Sequence, residues 1–255
     1  MFLKVIACEI AVREICFVAA QAEHVVDLEF LPQGHHDNPT AGRDFIQERV
    51  NAVPEGKYDA ILLGYGLCGN IIAGLKATHT PLVIPRAHDC ITFFLGSHER
   101  YQHQQDTQPG AYFYTAGWLE CIRRRGDKTP VENAMFLPTR TGLSQSAESA
   151  FEEWVKRYGE DQAKYLMEVM GQWTASYSHG VLIEFEFTKL LPLREQVQAI
   201  CAKRGWQFAN IEGDLGLLQQ WLNGEWDPKR FLVVHTGGEV IPCHDETVIT
   251  VKPGA

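Results

Sequence analysis

Apolar residues recur along the chain in two rhythms. Short runs at 3–7 (LKVIA), 25–31 (VVDLEFL), 59–64 (DAILLG) and 81–85 (PLVIP) predict β-strands. Between the first two, Ile15, Val18 and Ala22 stand at helical spacing within residues 11–22, and Phe45, Ile46 and Val50 mark a helix over about residues 40–53. The run DAILLG is apolar nearly throughout, as expected of a strand buried on both faces of a parallel sheet. Residues 71–77 are read as the helix that follows it. This alternation predicts a parallel sheet covered by helices.

The pattern changes after residue 100. Residues 101–177 are rich in aromatics and charge and carry one long helical pattern over 146–170. Strand-like runs return at 181–187, 208–212 and 231–235, separated by helical patterns at 193–204 and 214–223. DAILLGYGLCGN in the first half resembles RFLVVHTGGEVIP in the second, which points to an internal repeat. The expected architecture is α/β, with two Rossmann-like lobes built on parallel sheets and a helical insertion between them. The first lobe is placed at residues 1–100, the mainly helical insertion at 101–180 and the second lobe at 181–255.

Composition narrows the class. Of 255 residues, 45% are apolar and 22% charged, enough for an ordinary folded core. A net charge of −9 argues against a general nucleic-acid binder. No apolar run approaches the ~18 residues that span a bilayer, so no membrane association is expected. Seven cysteines is an odd count, and MFLKVIACEI reads as a first strand and not a secretion signal, so reduced thiols in the cytoplasm are expected. Cys16, Cys121 and Cys201 stand among apolar or helical neighbours and read as buried, inert thiols.

Position distinguishes Cys8, Cys68 and Cys90. Each follows a predicted parallel strand, and the C-terminal ends of such strands are where ligands gather. Three thiols distant in sequence therefore converge, joined by His88 if the segment 88–90 is extended, because alternate residues of a strand share a face. Thiolate and imidazole donors suit Zn²⁺ or a [4Fe–4S] cluster. The turn GYGLCGN matches the spacing of a dinucleotide-binding GxGxxG, but Arg86 and His88 stand where its acidic partner would fall. Its glycines are read as letting backbone approach a ligand, with an anion held at the start of the following helix. Arg13, Tyr65, Asn70 and Arg86 are the candidate substrate-binding residues. His36, on the loop His35-His36-Asp37, joins His88 as a candidate acid or base.

The runs FLPQGHHDNP, YDAILLGYGLCGN and PLVIPRAHDCITFFLGSHERY resemble a family of uncharacterised bacterial and archaeal proteins, over about residues 3–120. Its members often occur near genes for corrinoid proteins and trimethylamine-type methyltransferases. The resemblance implies a setting in anaerobic one-carbon or methylamine metabolism, with a corrinoid protein or methyltransferase as partner and corrinoid reached only through that partner. Cys8, Cys68, His88 and Cys90 stand within its motifs.

The expected function is that of a metal-dependent cytosolic enzyme, with zinc or an iron–sulfur cluster, acting on a small anionic or methylated metabolite. Two other classes stay open at this point. One is a hydrolase or transferase with a cysteine nucleophile, and the other is a non-catalytic accessory protein that carries a metal or cofactor.

Overall fold

The computed structural model describes residues 1–33, 39–124, 126, 134–135 and 145–252. The chain opens with β1 (Phe2–Cys8), α1 (Val12–Ala19), β2 (Val25–Leu31), α2 (Pro39–Asn51), β3 (Ala60–Gly64), β4 (Leu82–Pro85), α3 (Ile91–Leu95) and α4 (His98–Thr107). It continues through β5 (Ala111–Tyr114), α5 (Ala116–Arg124), β6 (Ala134–Met135), β7 (Gln145–Ser146), α6 (Ala147–Tyr158) and α7 (Glu160–Ala175). Then come β8 (His179–Glu184), α8 (Leu193–Arg204), β9 (Gln207–Glu212), α9 (Gly216–Leu222), β10 (Phe231–Val234), β11 (Glu239–Pro242) and β12 (Ile249–Lys252). The class is α/β, as the alternation of patterns required.

The chain divides into two compact units, Met1–Tyr101 with Gly213–Ala255, and Gln102–Glu212. In the first, five strands lie in the order β10-β4-β3-β1-β2. β1 pairs parallel with β2 and with β3, and β3 pairs parallel with β4. The register sets Ala7 opposite Gly64 and Leu62 opposite Val83, so β1, β3 and β4 end at one edge of the sheet. Every residue of β3 and of β4 is buried, which is why both read as unbroken apolar runs. β2 lies at the outer edge and is only partly buried before Leu31; Glu29 there pairs with Lys4 at 2.8 Å and with Arg49 at 2.5 Å.

Sterics decide residue size at the sheet centre. A Cβ on Gly64 would lie 2.5 Å from the Cβ of Ala7 and 3.2 Å from the ring of Trp221. Trp221, in α9, is fully buried and donates its Nε1–H to the carbonyl of Val83 at 3.2 Å. α1 buries Ile15 and Val18 on the sheet side and packs against α9.

The second unit holds the parallel sheet β5-β8-β9. Its core gathers Tyr114, Leu119 and Leu182 with Val197, Ile200 and Cys201 of α8. The helix approaches closely because Gly180 has no side chain: a Cβ there would lie 2.4 Å from the Cys201 sulfur.

Four expectations change. The expected second lobe does not exist as one body, because β8 and β9 join β5 whereas β10 returns to the first sheet. β10 runs antiparallel to β4, so its likeness to the β3 segment is one of composition and not of a repeated parallel unit. The helical pattern over 146–170 is broken between α6 and α7 at Gly159, whose φ of 86° a side chain would resist. Residues 71–77, read as a helix, form turns because the chain reaches back to accept Gly74 N–H at Val240 O, 2.7 Å, and Ala77 N–H at Gly238 O, 3.1 Å.

Candidate functional site: a thiol cluster at the edge of the first sheet

β1 has β2 on one side and β3 on the other, so its two neighbours are reached by crossovers in opposite directions. In doubly wound sheets, right-handed crossovers put the connecting helices on opposite faces and the ligand crevice at the C-terminal ends of the strands flanking the switch, which here are β1 and β3. Cys8 closes β1 at that crevice and is 3% exposed. The chain passes directly into a buried 3-10 turn, Glu9–Ala11, where Glu9 Oε1 accepts the amide of Gln33 at 2.9 Å.

The loops after β3 and β4 are laced together. Leu67 N–H donates to Ala87 O and Cys68 N–H to His88 O, each at 2.8 Å. This ladder brings Gly66 against the backbone of residue 89, where a Cβ would stand 2.7 Å from Asp89 Cα. Cys68, Gly69 and Asn70 then take φ of 38°, 68° and 72° in succession. A left-handed run of this kind is uncommon for residues with a Cβ, and such strain concentrates at functional sites. Asp89 is fixed from two sides: its Oδ1 accepts Ile91 N–H at 2.9 Å and its Oδ2 accepts the Tyr101 hydroxyl at 2.8 Å.

Cys8, Cys68 and Cys90 are close enough to act on one another. Burial first, then the Cys68 thiol, Asp89 and Cys8, pushes Cys90 well above the ordinary thiol range. Burial and then Asp89 push Cys68 up to about 12, against the pull of the Cys90 and Gly66 amides that donate to it. Tyr65, 1% exposed, is raised well above its ordinary value by burial and then by the Cys8 and Cys68 thiols. The half-buried Cys68 and Cys90 thiols are therefore protonated at neutral pH. Among the described residues, no group of three or more His, Cys, Asp or Glu side chains is placed so that it could hold a metal ion.

The other expected site residues separate from this cluster. His88 is exposed, and residues 88–90 form a bend and turn, so the strand alternation that would have aimed it with Cys90 does not apply. Its ring instead meets that of His98, centroids 5.5 Å apart. Arg86 does not face the crevice with open donors: Nε donates to Pro228 O at 2.8 Å, and Nη1 to Thr247 O at 2.9 Å and to Ile249 O. It clamps the C-terminal segment, which charge and position alone cannot reveal. Arg13 is half-buried in the first turn of α1, and Asn70 is exposed on the left-handed turn. No helix follows that turn to hold an anion. His35, His36 and Asp37 lie outside the described residues. Cys121 and Cys201 are buried as expected, whereas Cys16 is exposed, on the outer face of α1. Sequence reading missed His98 and Tyr101, because both reach the site by a chain reversal at Gly96 with no motif of its own.

The model of the family described as Protein of unknown function (DUF1638) matches residues 30–222 of the 255. The chain belongs to the DUF1638 family. No curated protein and no solved structure matches it. The DUF1638 match takes in both laced loops, with Cys68 and Cys90, while Cys8 and the segment clamped by Arg86 lie outside it. Among the described residues no helix is long and apolar enough to cross a membrane.

Proposed function

We propose that the crevice between β1 and β3 is a thiolate metal centre held by Cys8, Cys68 and Cys90. The protein is then a metal-dependent enzyme, with zinc or an iron–sulfur cluster, that acts on a small metabolite. One observation carries this reading: Cys8 and Cys68, from segments far apart in sequence, both act electrostatically on Cys90 and on Tyr65 at the switch point of a parallel sheet. Thiolates are soft donors, and three of them leave one position of a tetrahedral ion, or one iron of a cluster, open to substrate. A bound ion there supplies Lewis-acid or electron-transfer chemistry. The chain's own part is to hold Cys8 at the end of β1 and Cys68 and Cys90 on the two laced loops, with the buried, neutral Tyr65 nearby.

The same electrostatics disfavours a cysteine nucleophile. A nucleophilic thiol needs a depressed pKa, from a nearby cation or helix terminus. Here burial, neighbouring thiols and the Asp89 carboxyl all act the other way. A cation reverses the balance, turning mutual repulsion of thiolates into coordination and releasing protons as it binds. The resemblance of the GYGLCGN and PRAHDC runs to proteins encoded near corrinoid and methyltransferase genes supports corrinoid-linked one-carbon metabolism as the setting, with the corrinoid on a partner protein.

The test is the metal content of protein purified without oxygen. Near-stoichiometric zinc or iron is expected, and most of it is lost in Cys8→Ser, Cys68→Ser or Cys90→Ser but kept in Cys16→Ser and Cys121→Ser. Metal-free protein with activity that depends on a single cysteine overturns the reading. Bound metal with no turnover makes the protein a carrier instead of an enzyme.

A further inference from the structure

We propose that His88 and His98 form a second site, separate from the thiols, that binds a divalent transition-metal ion between their imidazoles. The fold brings the two together deliberately. The carbonyl of His88 is held by Cys68 N–H at 2.8 Å while its side chain is left exposed. Five residues of α3 follow, and the helix ends on Gly96 with φ of 76° and its N–H on Thr92 O at 3.0 Å. Only glycine fits there, because a Cβ would lie 2.6 Å from Asp214 Cγ. The reversal returns His98, the first residue of α4, to the side of His88, with ring centroids 5.5 Å apart and planes at 45°.

That spacing matches a shared ion. With a metal–nitrogen bond of about 2.0–2.1 Å, an imidazole centroid stands about 3.2 Å from the metal. Two such rings at angles of about 110–120° have centroids about 5.2–5.5 Å apart. A second observation points the same way: His98 Nδ1 is shielded from solvent and has no hydrogen-bond partner among the described residues. A buried imidazole nitrogen without a partner is costly, and a bound ion is one of the standard explanations. Imidazole suits zinc, nickel, cobalt and copper.

Acidic and basic groups both flank the pair: Glu99 interacts electrostatically with His98 and with Arg230, Asp89 interacts with His88, and Arg100 and Arg230 are tied to the carbonyls of Leu95 and Gly96. The Asp89 oxygens are already engaged by Ile91 and Tyr101, so it contributes charge and not a ligand. Two protein ligands leave the remaining positions to water or to a small molecule. Nothing in this argument needs the thiol centre to hold metal.

The experiment is a titration of Zn²⁺ into full-length protein labelled with ¹⁵N-histidine, whose ten imidazoles are few enough to resolve. His88→Gln and His98→Gln assign the two signals. Imidazole nitrogens of His88 and His98 are expected to shift together and to saturate at one equivalent. In either single variant the remaining partner should stop shifting, with binding weakened by more than the ~10–100-fold that loss of an outer-shell partner costs. The same titration in Cys68→Ser/Cys90→Ser should give the same paired shift; if that variant does not fold, the wild-type protein carries the test, because the readout is on the rings. A shift of one histidine alone, of neither, or one that survives removal of its partner overturns the proposal. Paired shifts in protein whose thiols hold no metal would sustain this site and defeat the thiol reading.

Discussion

The amide of Cys68 donates to the carbonyl of His88 at 2.8 Å, and so the loop after β3 carries on the pairing that β3 and β4 begin. Leu67 makes the same bond to Ala87, also at 2.8 Å, one residue earlier. Two short strands are thus extended beyond the sheet edge into a pair of laced loops that carry Cys68 and Cys90.

Gly66 is what lets the loops close. In Gly66→Ala the new Cβ must displace the Asp89 backbone, 2.7 Å away, and backbone yields less readily than a side-chain end. The expected cost is roughly 1–3 kcal/mol. Denaturant unfolding measures it, and alkylation of Cys68 and Cys90 should quicken at the same time. Unchanged stability together with unchanged thiol reactivity would show the loops are not locked as described.

Metal-free protein should show a silent Cys68. With its thiol pushed up to about 12, the thiolate fraction at pH 8 is on the order of a thousandfold below that of an ordinary thiol. Because the folded state holds this proton more tightly than the unfolded chain, the thiol's contribution to stability is complete below about pH 8.5 and declines as pH rises toward 12. Alkylation rate against pH, followed by mass spectrometry of the Cys68 peptide, reads the first effect. Unfolding between pH 8 and 11 reads the second.

Arg86→Ala should act on stability and not on ligand affinity. Its guanidinium holds the carbonyls of Pro228, Thr247 and Ile249, and between the last two lies Val248, a buried β-branched residue at φ of 62°. Charge-assisted bonds of this type are worth about 1.5–3 kcal/mol each, with incomplete additivity, so a loss of roughly 2–4 kcal/mol is expected. Thermal and denaturant melts decide it. Wild-type stability with lost binding of a small anion would return Arg86 to the substrate site.

Trp221 ties α9 to the sheet. Trp221→Ala removes a fully buried ring and leaves Val83 O without its 3.2 Å donor, for an expected loss of roughly 3–5 kcal/mol. Trp221→Phe keeps most of the volume and should cost about 1–3 kcal/mol, the share of the unpaired carbonyl. Equal melts for the two variants would mean the hydrogen bond contributes nothing.

Legibility followed the range of the forces involved. Ala7, Gly64 and Pro85 end apolar runs, and their placement at one edge needed only the rule that parallel strands joined by crossovers point the same way. Cys8, Cys68 and Cys90 travelled with those ends. His88 did not, because its direction depends on whether residues 88–90 are extended or turned, and that is settled by hydrogen bonds to residues 67 and 68 and by the capping Asp89.

What the sequence determined by itself was the α/β class, the three parallel strands that end at the crevice, and the presence there of three cysteines, since burial of apolar runs and crossover handedness are local or nearly local demands. Tertiary structure alone decided the rest. It sent β10 back to pair antiparallel with β4, where Phe231 faces Pro85, and so gave Arg86 its carbonyl partners more than 140 residues away. It also moved β8 and β9 into a unit with β5 and set His98 beside His88. These are choices among partners of equal local merit, and only the competition of the whole chain for burial and for hydrogen bonds selects among them.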